Sequence, residues 1–196
     1  MKIPHLLILF RFLLSPVIIF LALNNKHESK LLIVLLMYLG LLSDIFDGII
    51  ARKQNISTEK LRRLDSLVDL IFWISIAIGI WILNPALFHE NKVSILVIFI
   101  LEALCYIISF LKFGKEASTH AFLSKIWGLT LVIAFTSLIG LNYAGIPFYV
   151  SVIIGVISHI DVILIILILP EWTHDIPSAY HAYLIRKNIS FKKTNI

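Results

Sequence analysis

Four aspartates, Asp44, Asp47, Asp65 and Asp69, stand at spacings that could hold divalent cations against a phosphoryl group. At 100° per helical residue, separations of three and four keep the members of each pair on one helix face. Four carboxylates brought together without a counter-ion would repel strongly, and two of them would have to stay protonated. Hard divalent cations remove that difficulty. An oxygen-only ligand set suits Mg²⁺, Mn²⁺ or Ca²⁺ rather than zinc, and no Cys or His stands at ligand spacing beside the cluster. Four acids can hold two such ions about 3.5–4 Å apart, the arrangement that clamps a phosphoryl group. The plainer alternative is interfacial salt bridging to Arg52, Arg62 and Arg63. That would explain charges near a helix end, but not two pairs at one-face spacing flanking the same loop.

The elements that must position these acids belong in lipid. A chain of 196 residues with 59% hydrophobic and 15% charged content has more apolar side chain than a soluble domain of this size could bury. Its mean hydropathy is +0.95. A bilayer core of about 30 Å needs roughly 20 apolar residues per helical crossing. The polar interruptions mark six spans, over 4–23, 31–51, 64–83, 93–111, 121–141 and 146–169. The expected fold is an all-α, six-helix membrane bundle, one domain over 1–196, with an interfacial tail over 170–196. Asp44 and Asp47 fall toward the end of the second span, and Asp65 and Asp69 in the first turns of the third. A hairpin around the intervening loop therefore brings both acidic stripes to one membrane surface, although an aspartate near the bilayer centre costs about 2.5–3.5 kcal/mol.

Charge sets the expected orientation. The loop at 52–63 carries Arg52, Lys53, Lys60, Arg62 and Arg63, the strongest basic cluster in the chain. The positive-inside rule places it in the cytoplasm, and an even number of spans places both termini there too. Lys112, Lys115, Arg186, Lys187, Lys192 and Lys193 agree, against Lys26, Lys30 and Lys92 on the other side. The net charge of +5 is thus a topology signal, and nucleic acid is not an expected partner. The first span contains Arg11 and Pro16 and has no small-residue cleavage site before Asn24, so it reads as a retained helix rather than a signal peptide. The segment 171–188, with Trp172, Tyr180 and Tyr183 among charges, suits the headgroup level, and the rest of the tail is expected to fray. Cys105 is expected to pack as a small hydrophobe. Trp73, Trp81 and Trp127 are expected to serve packing, and His27 and His89 to be solvated.

The run D-I-F-D-G-I-I-A-R at 44–52, then eight residues, then L-R-R-L-D-S-L-V-D at 61–69, resembles the signature of the CDP-alcohol phosphatidyltransferase family. One position departs: Leu61 stands where the family has glycine. The opening I-P-H-L-L-I-L-F-R, ending at Arg11, is similar to the family's N-terminal stretch. The resemblance implies a six-helix bundle assembled as a homodimer in the cytoplasmic membrane, with its active site facing the cytoplasm. It would move a phospho-alcohol group from a CDP-alcohol donor such as CDP-diacylglycerol to an alcohol acceptor, with release of CMP. It further implies that Asp44, Asp47, Asp65 and Asp69 hold two Mg²⁺ or Mn²⁺ ions, and that Asp69 is also the catalytic base. Asp44, Asp47, Gly48, Ala51, Arg52 and Asp65 would bind the nucleotide. Gly48 and Ala51 would admit it by their smallness, and Arg52 would reach its phosphates. A leucine at 61 is expected to narrow or shift the cytidine site.

Basic residues around the fourth and fifth spans are the resemblance's acceptor site. They point to Lys125 in L-S-K-I-W-G and to Lys112 as acceptor-binding residues, with Lys115 and His120 near in sequence; for Lys125 the alternative is snorkelling to the headgroups. Arg11, Glu102, His159 and Asp161 are further ionisable groups inside spans. The simplest expectation is a bridge from Arg11 to Glu102 or Asp161. Two rival functions stay open. An ion-coupled transporter also carries intramembrane acids, though near the midplane on broken helices, and an inactive scaffold of the same fold would accommodate Leu61.

Overall fold

A computed structural model describes residues 3–24, 28–54 and 58–189. Lys26, His27, Lys192 and Lys193 lie outside them, as does the end of the tail expected to fray. Among the described residues there are helices and connecting turns but no strand. The helices are α1 (Ile3–Asn24), α2 (Lys30–Lys53), α3 (Glu59–Leu83), α4 (Pro85–Glu90), α5 (Lys92–Phe113), α6 (Phe122–Gly140), α7 (Ile146–Ile168) and α8 (Ala179–Arg186). Six of them, α1 to α3 and α5 to α7, are long and apolar enough to cross a membrane.

The span ends agree with the polar interruptions to within two residues except at α3, which starts five residues before position 64. Thr58 explains the difference. Its backbone is extended (φ −83°, ψ 157°) and its side chain accepts from Leu61 N at 3.3 Å, an N-cap, with Glu59 complementing the helix dipole in the first turn. Lys60, Arg62 and Arg63 therefore sit on the helix rather than in a loop. Pro147 is the second residue of α7, where a missing N–H is harmless.

The chain divides into two compact units. The first takes residues up to 92 and 130–150. Within it α1 packs along both α2 and α3, whereas α2 and α3 touch each other only sparsely. Ile18 and Ala22 of α1, Met37 of α2, Phe72 and Ile76 of α3 and Ile139 of α6 are fully buried. Asn84, after α3, donates from Nδ2 to the carbonyl of Leu138 at 3.0 Å.

The second unit takes 93–129 and the residues from 151 onward. Its core joins Cys105, Ala121, Val162, Ile165, Ile166, Leu169, Ile176 and Ala182, so Cys105 packs as a hydrophobe among apolar neighbours. The tail folds back instead of running free. Ile176 N donates to Thr119 O (2.8 Å) and Phe122 N to Pro177 O (2.9 Å), while Trp172 Nε1 donates to Glu116 O (2.9 Å). Asp161 Oδ1 accepts from Ala179 N at 3.0 Å, capping α8. Tyr180 and Tyr183 remain exposed.

Candidate active site

Because α1 lies against both α2 and α3, a polar residue on α1 at the right depth faces the acids of both. Arg11 stands eight residues in from Ile3. Asp44 and Asp47 stand nine and six residues before Lys53, and Asp65 and Asp69 six and ten after Glu59. At 1.5 Å rise per residue these five residues lie at nearly one level, about 9–15 Å from the same ends of their helices.

They meet there. Arg11 Nη2 donates to Asp47 Oδ2 (2.8 Å) and Asp65 Oδ1 (2.6 Å). Nη1 pairs with Asp69 Oδ1 at 2.7 Å and with Asp44 Oδ1. Arg62 Nη1 stands further off, 3.8 Å from Asp65 Oδ2. The acids divide by depth: the side chains of Asp47 and Asp65 are 3% and 4% exposed, those of Asp44 and Asp69 38% and 26%. The site has a closed floor and an open rim, and Arg11, 1% exposed, runs between them.

Asp44, Asp47 and Asp65 each offer a carboxylate oxygen, all within 4.8 Å of one another. A hard divalent cation fits such an all-oxygen donor set. Asp69 stands outside that trio and reaches it through Arg11, so a part-exposed carboxylate borders the three oxygens. Next to the acids, Gly48 is buried with no side chain. A Cβ there would lie 3.7 Å from Arg52 Nη1 and 4.0 Å from Arg62 Nη1, so its bare backbone is bordered by two guanidinium groups. Ala51 and Leu61 close an apolar cluster with Ile8 and Val68. The leucine that replaces the motif glycine is thus buried among hydrocarbon, and Ala51 is enclosed with it.

The family model of CDP-alcohol phosphatidyltransferases matches residues 1–172. The chain belongs to this family. A CDP-diacylglycerol--glycerol-3-phosphate 3-phosphatidyltransferase of Aquifex aeolicus (strain VF5) is 36% identical to it over 101 residues, 52% of this chain and 52% of that protein. The chain thus spans about half the length of that curated relative. No solved structure matches. Within this CDP-alcohol phosphatidyltransferase-family chain, α8 lies beyond the matched residues.

The pairing expected for Arg11 is corrected: neither Glu102 nor Asp161 is its partner. Glu102 Oε2 instead meets His159 Nε2 at 2.6 Å, and His159 Nδ1 donates to Gly155 O at 2.6 Å, with the Trp127 ring edge-on at 4.6 Å. Asp161 caps α8. Of the salt bridges expected to Arg52, Arg62 and Arg63, Arg62 to Asp65 is present at 3.8 Å, but Arg11 makes the shorter contacts and Arg63 stands 3.9 Å from Glu59. Lys112 donates to the carbonyls of Ile166 (2.9 Å), Leu167 (2.7 Å) and Leu169 (2.7 Å) at the end of α7. Lys125, in the first turn of α6, has an exposed side chain. Arg11 is the site residue that the spacing argument missed. The signal was its depth, shared with all four aspartates.

Proposed function

We propose that the chain is a divalent-metal-dependent membrane transferase that moves a phospho-alcohol group from a CDP-alcohol to an alcohol acceptor, releasing CMP, and that it acts as one membrane domain. The carrying observation is the trio of carboxylate oxygens within 4.8 Å of one another, bordered by the accessible Asp69. Asp44, Asp47 and Asp65 would hold Mg²⁺ or Mn²⁺, which supply Lewis-acid neutralisation of the diphosphate oxygens when bound.

Around that site the chain's own groups divide the work. Gly48, Arg52 and Arg62 receive the donor diphosphate against bare backbone and two guanidinium groups. Asp69 takes the proton of the acceptor hydroxyl at the rim. The acceptor oxygen bonds to the phosphorus bearing the donor's alcohol, the bond from that phosphorus to the bridging oxygen breaks, and CMP leaves in line. Lys125 is proposed to contact an anionic acceptor. The basic residues at 52–63 and at the connection between α5 and α6, Lys112 and Lys115, support a cytoplasmic active site in the inner membrane. Homodimeric assembly is part of the reading.

The Aquifex relative's name favours CDP-diacylglycerol as donor and glycerol 3-phosphate as the first acceptor to test. Membranes carrying the chain, given CDP-diacylglycerol, Mn²⁺ or Mg²⁺ and one candidate alcohol at a time, should release CMP with one or two alcohols. Chelation should abolish the release. No CMP from any alcohol, in protein that still binds metal, would end the assignment.

A further inference from the structure

Each terminal nitrogen of Arg11 joins one acid of α2 to one of α3: Nη2 links Asp47 to Asp65, and Nη1 links Asp44 to Asp69. A divalent ion ligated by Asp44, Asp47 and Asp65 would bridge the same two helices. The ion and Arg11 compete for the same carboxylate oxygens: Mg²⁺ takes its ligand oxygens at about 2.0–2.1 Å, and Asp47 Oδ2 and Asp65 Oδ1 already accept from Arg11 Nη2 at 2.8 and 2.6 Å. Repulsion between the two cations, in a site where Arg11 is almost completely buried, opposes their sharing those oxygens.

We propose that Arg11 is a built-in counter-ion that competes with divalent metal for the carboxylates of Asp44, Asp47 and Asp65, holding α2 and α3 in register and setting how tightly metal binds. The guanidinium keeps its charge at any physiological pH, so the competitor is always armed. With a single charge it cannot neutralise four carboxylates, which leaves the doubly charged ion a strong claim on the same oxygens. Arg11 is in this sense a positioning residue, acting on the reaction through the metal ligands. The proposal rests on the metal-dependent reading above and makes it more specific.

The test is Mn²⁺ binding, read by electron paramagnetic resonance on the full chain in detergent after chelator stripping. Arg11→Met should bind Mn²⁺ about tenfold more tightly than the wild type, or more, the scale of removing one buried like charge. Without Mn²⁺ it should unfold at a lower temperature, and Mn²⁺ should restore the loss. Arg11→Lys keeps the charge but cannot bridge both pairs, so its affinity should fall between the two. Affinity unchanged or weakened in Arg11→Met, as a purely structural arginine would give, overturns the proposal. If Arg11→Met does not fold, Arg11→Lys decides: tighter binding than wild type supports competition, and equal or weaker binding overturns it. A wild-type chain that binds no Mn²⁺ would instead overturn the metal-dependent reading, and the competition with it.

Discussion

Gly40 of α2 meets the Phe72 ring of α3 so closely that a Cβ built at Gly40 would lie 2.1 Å from Phe72 Cζ. Phe72 is fully buried, and the two helices touch little elsewhere, so this contact sets how near α2 and α3 can come. Gly40→Ala should force the ring or the helix aside and lower stability by about 1–3 kcal/mol. Thermal unfolding in detergent measures it, and Phe72→Leu in the same chain should recover part of the loss. A Gly40→Ala chain as stable as wild type would show the approach to be unimportant.

Asp69 and Asp47 should fail differently. Asp47, on the floor, is one of the trio; Asp69, on the rim, is not. Asp69→Asn should lower kcat by about 10²–10⁴-fold, the usual share of a general base, with Mn²⁺ affinity little changed. Asp47→Asn should weaken Mn²⁺ binding by at least the roughly 10–100-fold that outer-shell losses cost. Equal losses of metal affinity in the two variants would remove the distinction between base and ligand.

Gly48 separates space from function. Its surroundings leave an added methyl in ordinary contact with the Arg52 and Arg62 guanidinium groups. Gly48→Ala should therefore fold with stability within about 0.5 kcal/mol of wild type, helped by the better helix propensity of alanine. The methyl would still stand where the donor diphosphate is proposed to rest, and donor KM should rise about tenfold. An unchanged donor KM would move the diphosphate elsewhere.

The two lysines proposed from sequence for the acceptor should also part company. Lys112 is held by three carbonyls at the end of α7, so Lys112→Met should cost about 0.5–1 kcal/mol of stability through the lost helix-end interaction and leave acceptor KM alone. Lys125→Ala should raise acceptor KM about tenfold with stability kept. Acceptor titrations of CMP release, beside thermal unfolding, check both; a rise in KM for Lys112→Met would restore it to the acceptor site.

Much of the site was legible because its determinants are local. Helix periodicity alone puts Asp44 with Asp47 and Asp65 with Asp69, and the length of the apolar runs places α2 and α3 to within a few residues. The early start of α3 was not read, because it depends on one hydrogen bond that the Thr58 side chain accepts from Leu61 N. The contacts of Lys112 were not read for a related reason: which carbonyls a basic residue at a helix end meets depends on the neighbouring helix terminus placed against it.

By itself the sequence determined the membrane spans, the acidic pairs and the motif that carries them, since transfer of apolar side chains to lipid and the 3.6-residue turn act within each segment. The tertiary structure alone decided the company kept by Arg11. An arginine inside a span pairs with whichever acids its helix is packed against, and Asp44, Asp47, Asp65, Asp69, Glu102 and Asp161 were all candidates by charge. Packing of α1 along both α2 and α3, at matching depth, selected the four aspartates, because a buried cation is stable only where several carboxylates can reach it at once.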